Sequence, residues 1–256
     1  IKIKNICKPY LSLKNFKYLE SKDPLDMSSN FNHILNNTNT EFFTVLSDDD
    51  ILNPFFLEKI DNLTLKYKNI DLFHCRVKII DEYDSLTSIT PICPEFESQF
   101  DFIYNRLIGV RHQFLSDFIV RTTKLKKIGG FELKSGWGLD DMAWFKLSTS
   151  GVAFTNYFGL NYRSSSLNIS YKTNDFSQRV MDIISLTNLA KSELSKVKLI
   201  NQELDQSIID NAVKKFRNRS IEYLLMKKYI SAGLFNLIWI YFSQNKKLNI
   251  TFSNFF

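Results

Sequence analysis

A chain of 256 residues, 44% of them hydrophobic, can bury a sizeable core in one large domain or in a domain with a smaller appendage. With 8 glycines and 5 prolines it holds no low-complexity linker, and 23% charged residues is ordinary for a soluble protein. The net charge of +6 is uneven: residues 1–175 carry 21 basic and 21 acidic side chains, whereas 176–256 carry 12 and 6.

Taken in chain order, Phe16-Lys17-Tyr18-Leu19 reads as a short strand ending in the polar turn Ser21-Lys22-Asp23-Pro24. Ser28 or Ser29 then caps a helix whose Phe31, Ile34 and Leu35 share one face. Glu41 to Leu46 is a compact β-rich run of the kind buried in a parallel sheet, and it stops abruptly at Ser47-Asp48-Asp49-Asp50. Asn53-Pro54 opens a helix with Pro54 at its first position and Phe55, Phe56, Ile60 and Leu63 as its apolar face. Ile70–Ile80 and Phe118–Val120 read as further strands, so strands and helices alternate in the manner of an α/β layered fold around a mostly parallel sheet. Beyond Phe176 the apolar spacing becomes helical, through Val180, Ile183, Ile184 and Leu186, then Ile221, Leu224 and Leu225. The expected organisation is an α/β domain over 1–175 and a helical region over 176–256.

Two acidic segments stand out. Asp48, Asp49 and Asp50 at the carboxyl end of a buried strand occupy the place where open α/β sheets bind ligands. Three repelling carboxylates there suit a hard divalent cation, Mn²⁺ or Mg²⁺, which takes one or two carboxylates plus phosphate oxygens. A solvated acidic turn capping the next helix is the plainer alternative. The second segment runs from Ile128-Gly129-Gly130-Phe131 to Ser135-Gly136-Trp137-Gly138-Leu139-Asp140-Asp141. Its paired glycines permit a tight bend, Trp137 offers a flat face for a sugar ring, and the acidic pair opens a helix. A carboxylate there can take a proton from an acceptor hydroxyl, although a helix cap beside a buried tryptophan gives the same pattern.

The run from Phe43 to Pro54 resembles the DxD region of family 2 glycosyltransferases, and Gly129 to Asp141 resembles their acceptor and base segment, in the same order and at a similar spacing of about ninety residues. The resemblance covers roughly Phe16 to Ser170. It implies a GT-A α/β fold with a C-terminal helical appendage and transfer of a hexose or N-acetylhexosamine from a UDP-sugar to a glycan or lipid-linked acceptor. It places Asp48 near the ribose or metal, Asp50 on a Mn²⁺ or Mg²⁺ bridging the diphosphate, and Asp49 beside them. It makes Asp141 the base of an inverting displacement, with Asp140, Gly136 and Trp137 holding the acceptor. The family's first strand has no counterpart before Ile1, which leads us to expect an N-terminally incomplete domain. Glu20 and Ser21 fall where the second strand's base-binding residue would stand. A late histidine ligand is also missing, and Arg163 in Asn161–Ser166 is the candidate diphosphate contact in its place.

Weaker signals remain. Arg106, Arg111 and His112 read more readily as a solvated basic face than as an acceptor pocket, and His33 and His74 as histidines without metal-ligand spacing. Cys7, Cys75 and Cys93 are too scattered for a disulfide framework, so they read as inert thiols of a reduced, cytoplasmic protein. Lys214, Lys215, Arg217, Arg219, Lys227 and Lys228 precede the apolar Leu234–Phe242, with Lys246 and Lys247 beyond. That pattern suits peripheral contact with anionic lipid at the inner face of the plasma membrane; nucleic acid is not the expected partner. Two rival readings of the chain are a metal-dependent nucleotidyltransferase, which lacks a glycine-rich phosphate loop here, and an inactive carbohydrate-binding or scaffolding relative.

Overall fold

The computed structural model describes residues 3–133, 135–165, 168, 176–196 and 206–232, and of 228–232 the backbone alone. The apolar Leu234–Phe242, Lys246, Lys247 and Ser166 lie outside the described residues. In chain order the elements are α1 (Ile3–Cys7), α2 (Met27–Asn36), β1 (Phe42–Phe43), β2 (Ile51–Leu52), α3 (Phe56–Lys66), β3 (Leu72–Ile80), β4 (Leu86–Ile89) and β5 (Phe96–Glu97). They continue with α4 (Gln99–Ile108), β6 (Phe118–Arg121), α5 (Thr122–Lys127), α6 (Leu139–Leu147), β7 (Val152–Arg163), α7 (Phe176–Lys196) and α8 (Gln206–Ala232).

Strand alternation sorts the core onto two faces. Phe43, Leu72, Phe118, Val120 and Val152 point to the side covered by α4 and α6. Their chain neighbours Phe42, Phe73, Ile119 and Ala153 point to the side covered by α3. Helix α3 docks through Phe56, Ile60 and Leu63, each at most 6% exposed. Burying such a side chain contributes about 1.5–3 kcal/mol. The fold is therefore α/β, with helices on both faces of one sheet.

The expected parallel sheet needs correcting. The strand order is β1-β6-β3-β7-β2, with β4 beside β3 and β5 beside β7. Among the described residues only the β3–β7 pairing is parallel; the other five are antiparallel. A strand buried on both faces reads as a continuous apolar run whichever way it points, so composition carries no direction. Antiparallel β6 has a consequence for the site: its amino end lies beside the carboxyl end of β1.

Other expectations shift locally. Phe16–Leu19 forms no strand. Helix α2 is capped by Asp26, whose carboxylate accepts from the Ser29 amide at 2.7 Å, not by either serine. Its Ile34 is 37% exposed, while Leu35 is buried. Strand β1 holds two residues of the expected six, because Thr44 leaves the ladder to donate to the Phe118 carbonyl at 2.8 Å. Pro54 precedes α3 by two residues, and Phe55 faces solvent.

The helical region begins at Phe176 and packs directly on the sheet's helices. Leu186, Ala190 and Leu194 of α7 and Ile209, Ala212, Val213 and Phe216 of α8 share one apolar cluster with α4 and α6. Gln99 on α4 donates to Glu193 on α7 at 3.2 Å, and Arg217 on α8 donates to Thr187 on α7 at 2.9 Å. No helix among the described residues is long and apolar enough to cross a membrane.

Candidate active site

Beyond β1 the chain turns through Ser47–Asp50, closed by the Asp50 amide donating to the Ser47 carbonyl. Asp50 is half-buried and held at both oxygens: Ser116 Oγ donates to one at 2.7 Å and the Arg163 amide to the other at 3.0 Å. Ser116 Oγ in turn accepts from the Ser47 amide at 3.1 Å. Burial, and then the charge of Asp49, push the Asp50 carboxyl above its usual range, against the pull of those two hydrogen bonds. Asp48 is exposed.

The Arg163 guanidinium is engaged by the protein itself. Nε donates to the Asp49 carbonyl at 3.0 Å, Nη1 to the Asp81 carbonyl at 3.0 Å, and Nη2 to the Asp84 carboxylate at 2.6 Å. It laces the acidic turn to the β3–β4 hairpin. Glu20 and Ser21 are exposed; Glu20 pairs with Lys4 at 3.1 Å, and no hydrogen bond or ion pair among the described residues joins either to the Asp48–Asp50 turn.

The second acidic segment depends on two glycines with left-handed backbone, Gly136 (φ 76°) and Gly138 (φ 71°), the latter capping α6. Asp141 is 2% exposed and locked by Arg106, whose Nε lies 3.0 and 3.2 Å from its two oxygens and Nη2 2.7 Å from one. The guanidinium also lies over the Phe216 ring of α8, 5.6 Å from its centre. Asp140 is half-buried, and burial together with the adjacent Asp141 charge raises its carboxyl to about 7. Trp137 is half-buried, packed between the main core and a smaller cluster built by α7 and α8.

Between the two segments runs 111–117, of which the sequence reading weighed only Arg111 and His112. Asp117 is 1% exposed; its carboxyl is pushed well up by burial, then by the charges of Asp140 and Asp50. It accepts from the Phe114 amide at 3.1 Å and faces His74 Nδ1 at 3.6 Å. Burial and the Arg111 charge lower His74 to about 3, which leaves the imidazole neutral. Gln113 is 8% exposed, and both of its amide atoms lack a hydrogen-bond partner. Arg106 and Arg111 are not a solvated face: Arg111 pairs with buried Glu97 at 2.7 Å just as Arg106 pairs with Asp141. His112 is exposed, and its imidazole is lowered by burial, then by Arg106 and Arg219. The available signal for Ser116 and Asp117 was a polar pair directly ahead of an apolar strand. It points at Asp50 only once β6 is known to run antiparallel to β1.

Among the described residues no group of three or more His, Cys, Asp or Glu side chains could hold a metal ion. A cation beside Asp50 and Asp48 would complete its shell with ligand oxygens and water, the manner in which Mg²⁺ usually binds beside phosphates. The donor set fits that arrangement and no closed protein cage.

Two solved structures have this architecture. One is S. aureus TarS 1-349 in complex with UDP-GlcNAc, with a TM-score of 0.57, 16% identity, and cover of 96% of this chain and 64% of that one. The chain shares the fold of TarS. S. aureus TarS 1-349 in a second structure gives a TM-score of 0.56 at 16% identity, covering 90% and 61%. The chain thus spans about three fifths of the length of the structures it matches. No sequence-family profile matches it, and no curated protein matches it by sequence.

Proposed function

We propose that the chain is the greater part of a glycosyltransferase that takes a sugar from a nucleotide-sugar donor, UDP-linked, and passes it to a hydroxyl of a glycan or lipid-linked acceptor. The observation that carries this reading is the ordered Asp50 turn, held by Ser116 ahead of β6 and by the Arg163 amide at the end of β7, in a fold shared with a protein crystallised with UDP-GlcNAc. Donor diphosphate fits beside Asp50, and acceptor beside Trp137 and Asp140. Asp50 and Asp48 would hold a divalent cation, which would supply positive charge against the charge that builds on the departing diphosphate.

The geometry redistributes the roles within the acidic pair. Asp141 is buried and its oxygens are engaged by Arg106, which suits a fixed charge. Asp140 has access to solvent and a proton affinity near neutral, which suits a general base. In the proposed inverting step the acceptor oxygen bonds to the anomeric carbon as its proton passes to Asp140. The bond to the diphosphate breaks, and UDP leaves with the electron pair. Asp141, held by Arg106, keeps Asp140 basic by its adjacent negative charge. The lacing by Arg163 supports a structural part for that residue, in place of the diphosphate contact.

The test is UDP release from UDP-GlcNAc with Mn²⁺, alongside calorimetric titration of UDP, on the chain and on Asp50→Ala and Asp140→Asn. The reading expects metal-dependent UDP binding that Asp50→Ala removes, and turnover, with water as acceptor if no other is supplied, that Asp140→Asn removes without loss of binding. A folded chain that binds no UDP sinks it. Exposed Glu20, outside any strand, favours the rival of a carbohydrate-binding relative without donor chemistry, and sugar binding indifferent to Asp50→Ala would support that rival.

A further inference from the structure

We infer that Asp182, on α7, is a positioning residue for the acceptor side of the site, so that the C-terminal helices form part of that site. The inference rests on the proposed reading of Trp137 and Asp140; the contact itself does not. Asp182 is 3% exposed and lies 47 residues from the loop it touches, where the Ser135 amide donates to its carboxylate at 3.0 Å. Its other oxygen accepts from Gln178, one turn earlier on α7, at 2.9 Å, which fixes the carboxylate's orientation. Ser135 passes the constraint on, since its Oγ accepts from the Trp137 amide at 3.3 Å.

The loop is gripped on both sides. A Cβ placed on Gly136 would lie 2.9 Å from Met27 Sδ of α2, and one on Gly138 would lie 3.2 Å from Leu186 of α7. Both glycines have a left-handed backbone, so the loop has little steric restraint of its own and takes its shape from these neighbours. Trp137 packs against Phe176, Val180 and Ile183 of α7 and Ile221, Leu224 and Leu225 of α8. Gly138 then caps the helix that carries Asp140. A shift of Asp182 therefore moves the ring that the acceptor meets and the first turn of α6 together, and leaves the Asp50 turn, which is held by Ser116 and Arg163, in place.

Hydrogen exchange on the full chain tests this. In the wild type the Ser135 amide is expected to be protected as strongly as the amides of α6; an unprotected amide would overturn the inference without any variant. In Asp182→Ala, exchange over 135–140 should rise roughly tenfold or more, the size expected for a lost hydrogen bond to a carboxylate. Quenching of the Trp137 emission by acrylamide, obtained by difference from Trp137→Phe, should rise with it. Asp182→Asn keeps one accepting oxygen and should restore both. Titration of UDP with Mn²⁺ separates the two ideas. Equal affinity in all three proteins, with the loop loosened only in the alanine variant, supports the inference. Loosening spread evenly over α4 and α6, or UDP affinity that falls in step with the loop, refutes it. No UDP binding by any of them would overturn the proposed function while the exchange data still decide whether α7 holds the loop.

Discussion

Replacing Arg106 by methionine removes the counter-charge of Asp141 while filling much of the same volume. Asp141 has a side chain 3% exposed and receives three contacts of 2.7 to 3.2 Å from this one guanidinium. Breaking a buried ion pair from one side costs about 3–5 kcal/mol, because the remaining charge stays desolvated. The Arg106 side chain is 20% exposed, so water can reach the vacated place, and the low end, about 3 kcal/mol, is the expected loss. For a chain of this size each kcal/mol shifts the melting temperature by about 2–4 °C, which gives a fall of about 6–12 °C. Arg106→Met combined with Asp141→Asn removes both charges and should recover most of that fall, since a neutral pair carries no unpaired charge. Thermal melts at neutral pH on the wild type, both single variants and the double variant complete the cycle. A double variant no more stable than Arg106→Met would refute the reasoning, because the loss would then lie in the packing of Arg106 over Phe216 and not in the stranded carboxylate.

Three further outcomes are expected. Asp140, raised from 3.8 to about 7, is protonated and idle as a base at low pH, so turnover should climb as pH rises through about 7. The same proton is held more tightly folded than unfolded, so its stabilising contribution is present below about 4 and lost as pH rises through about 7; Asp140→Asn should lack that slope in melts taken across this window. Gln113→Leu should leave stability unchanged or improved, because both amide atoms are buried without partners; a loss above about 1 kcal/mol in urea titration would show that the amide has a partner after all. Ellman titration of the folded chain should find Cys75 and Cys93 silent, since burial pushes the first thiol well up and the second to about 12, and both should react in denaturant.

Much of the layering was legible because apolar period reports burial. Strand β3 stood out as a long apolar run, and α7 and α8 through spacings that end up inside shared clusters. Helix α4 was missed although its signals were present: Ser98 caps it and bonds Asp101, Phe100, Ile103 and Leu107 face inward, and Gly109 closes it with a φ of 84°. Both acidic segments were legible as unusual runs. What holds the first was not, because Ser116 meets Asp50 across 66 residues, a pairing that only strand direction sets. Arg106 and Arg111 misled for a related reason. An arginine is mostly exposed by residue type, and nothing local shows that Asp141 and Glu97 wait 35 and 14 residues away. At Phe16–Leu19, β-forming composition without a neighbouring strand to pair with did not make a strand.

The lacing by Arg163 also sets a timetable for the nascent chain. The turn at Ser47–Asp50 leaves the ribosome well before its two holding groups, Ser116 and Arg163, which follow 66 and 113 residues after Asp50. At the roughly 5–20 residues per second of translation, the turn waits several seconds for its last restraint. Until residues 118–121 have been made, β1 and its neighbour Val45 have no β6 to cover them, and three carboxylates close together oppose collapse of that stretch. The acidic turn thus acts as a charge barrier to premature association of the Phe42–Leu46 run, a service rendered before the site exists.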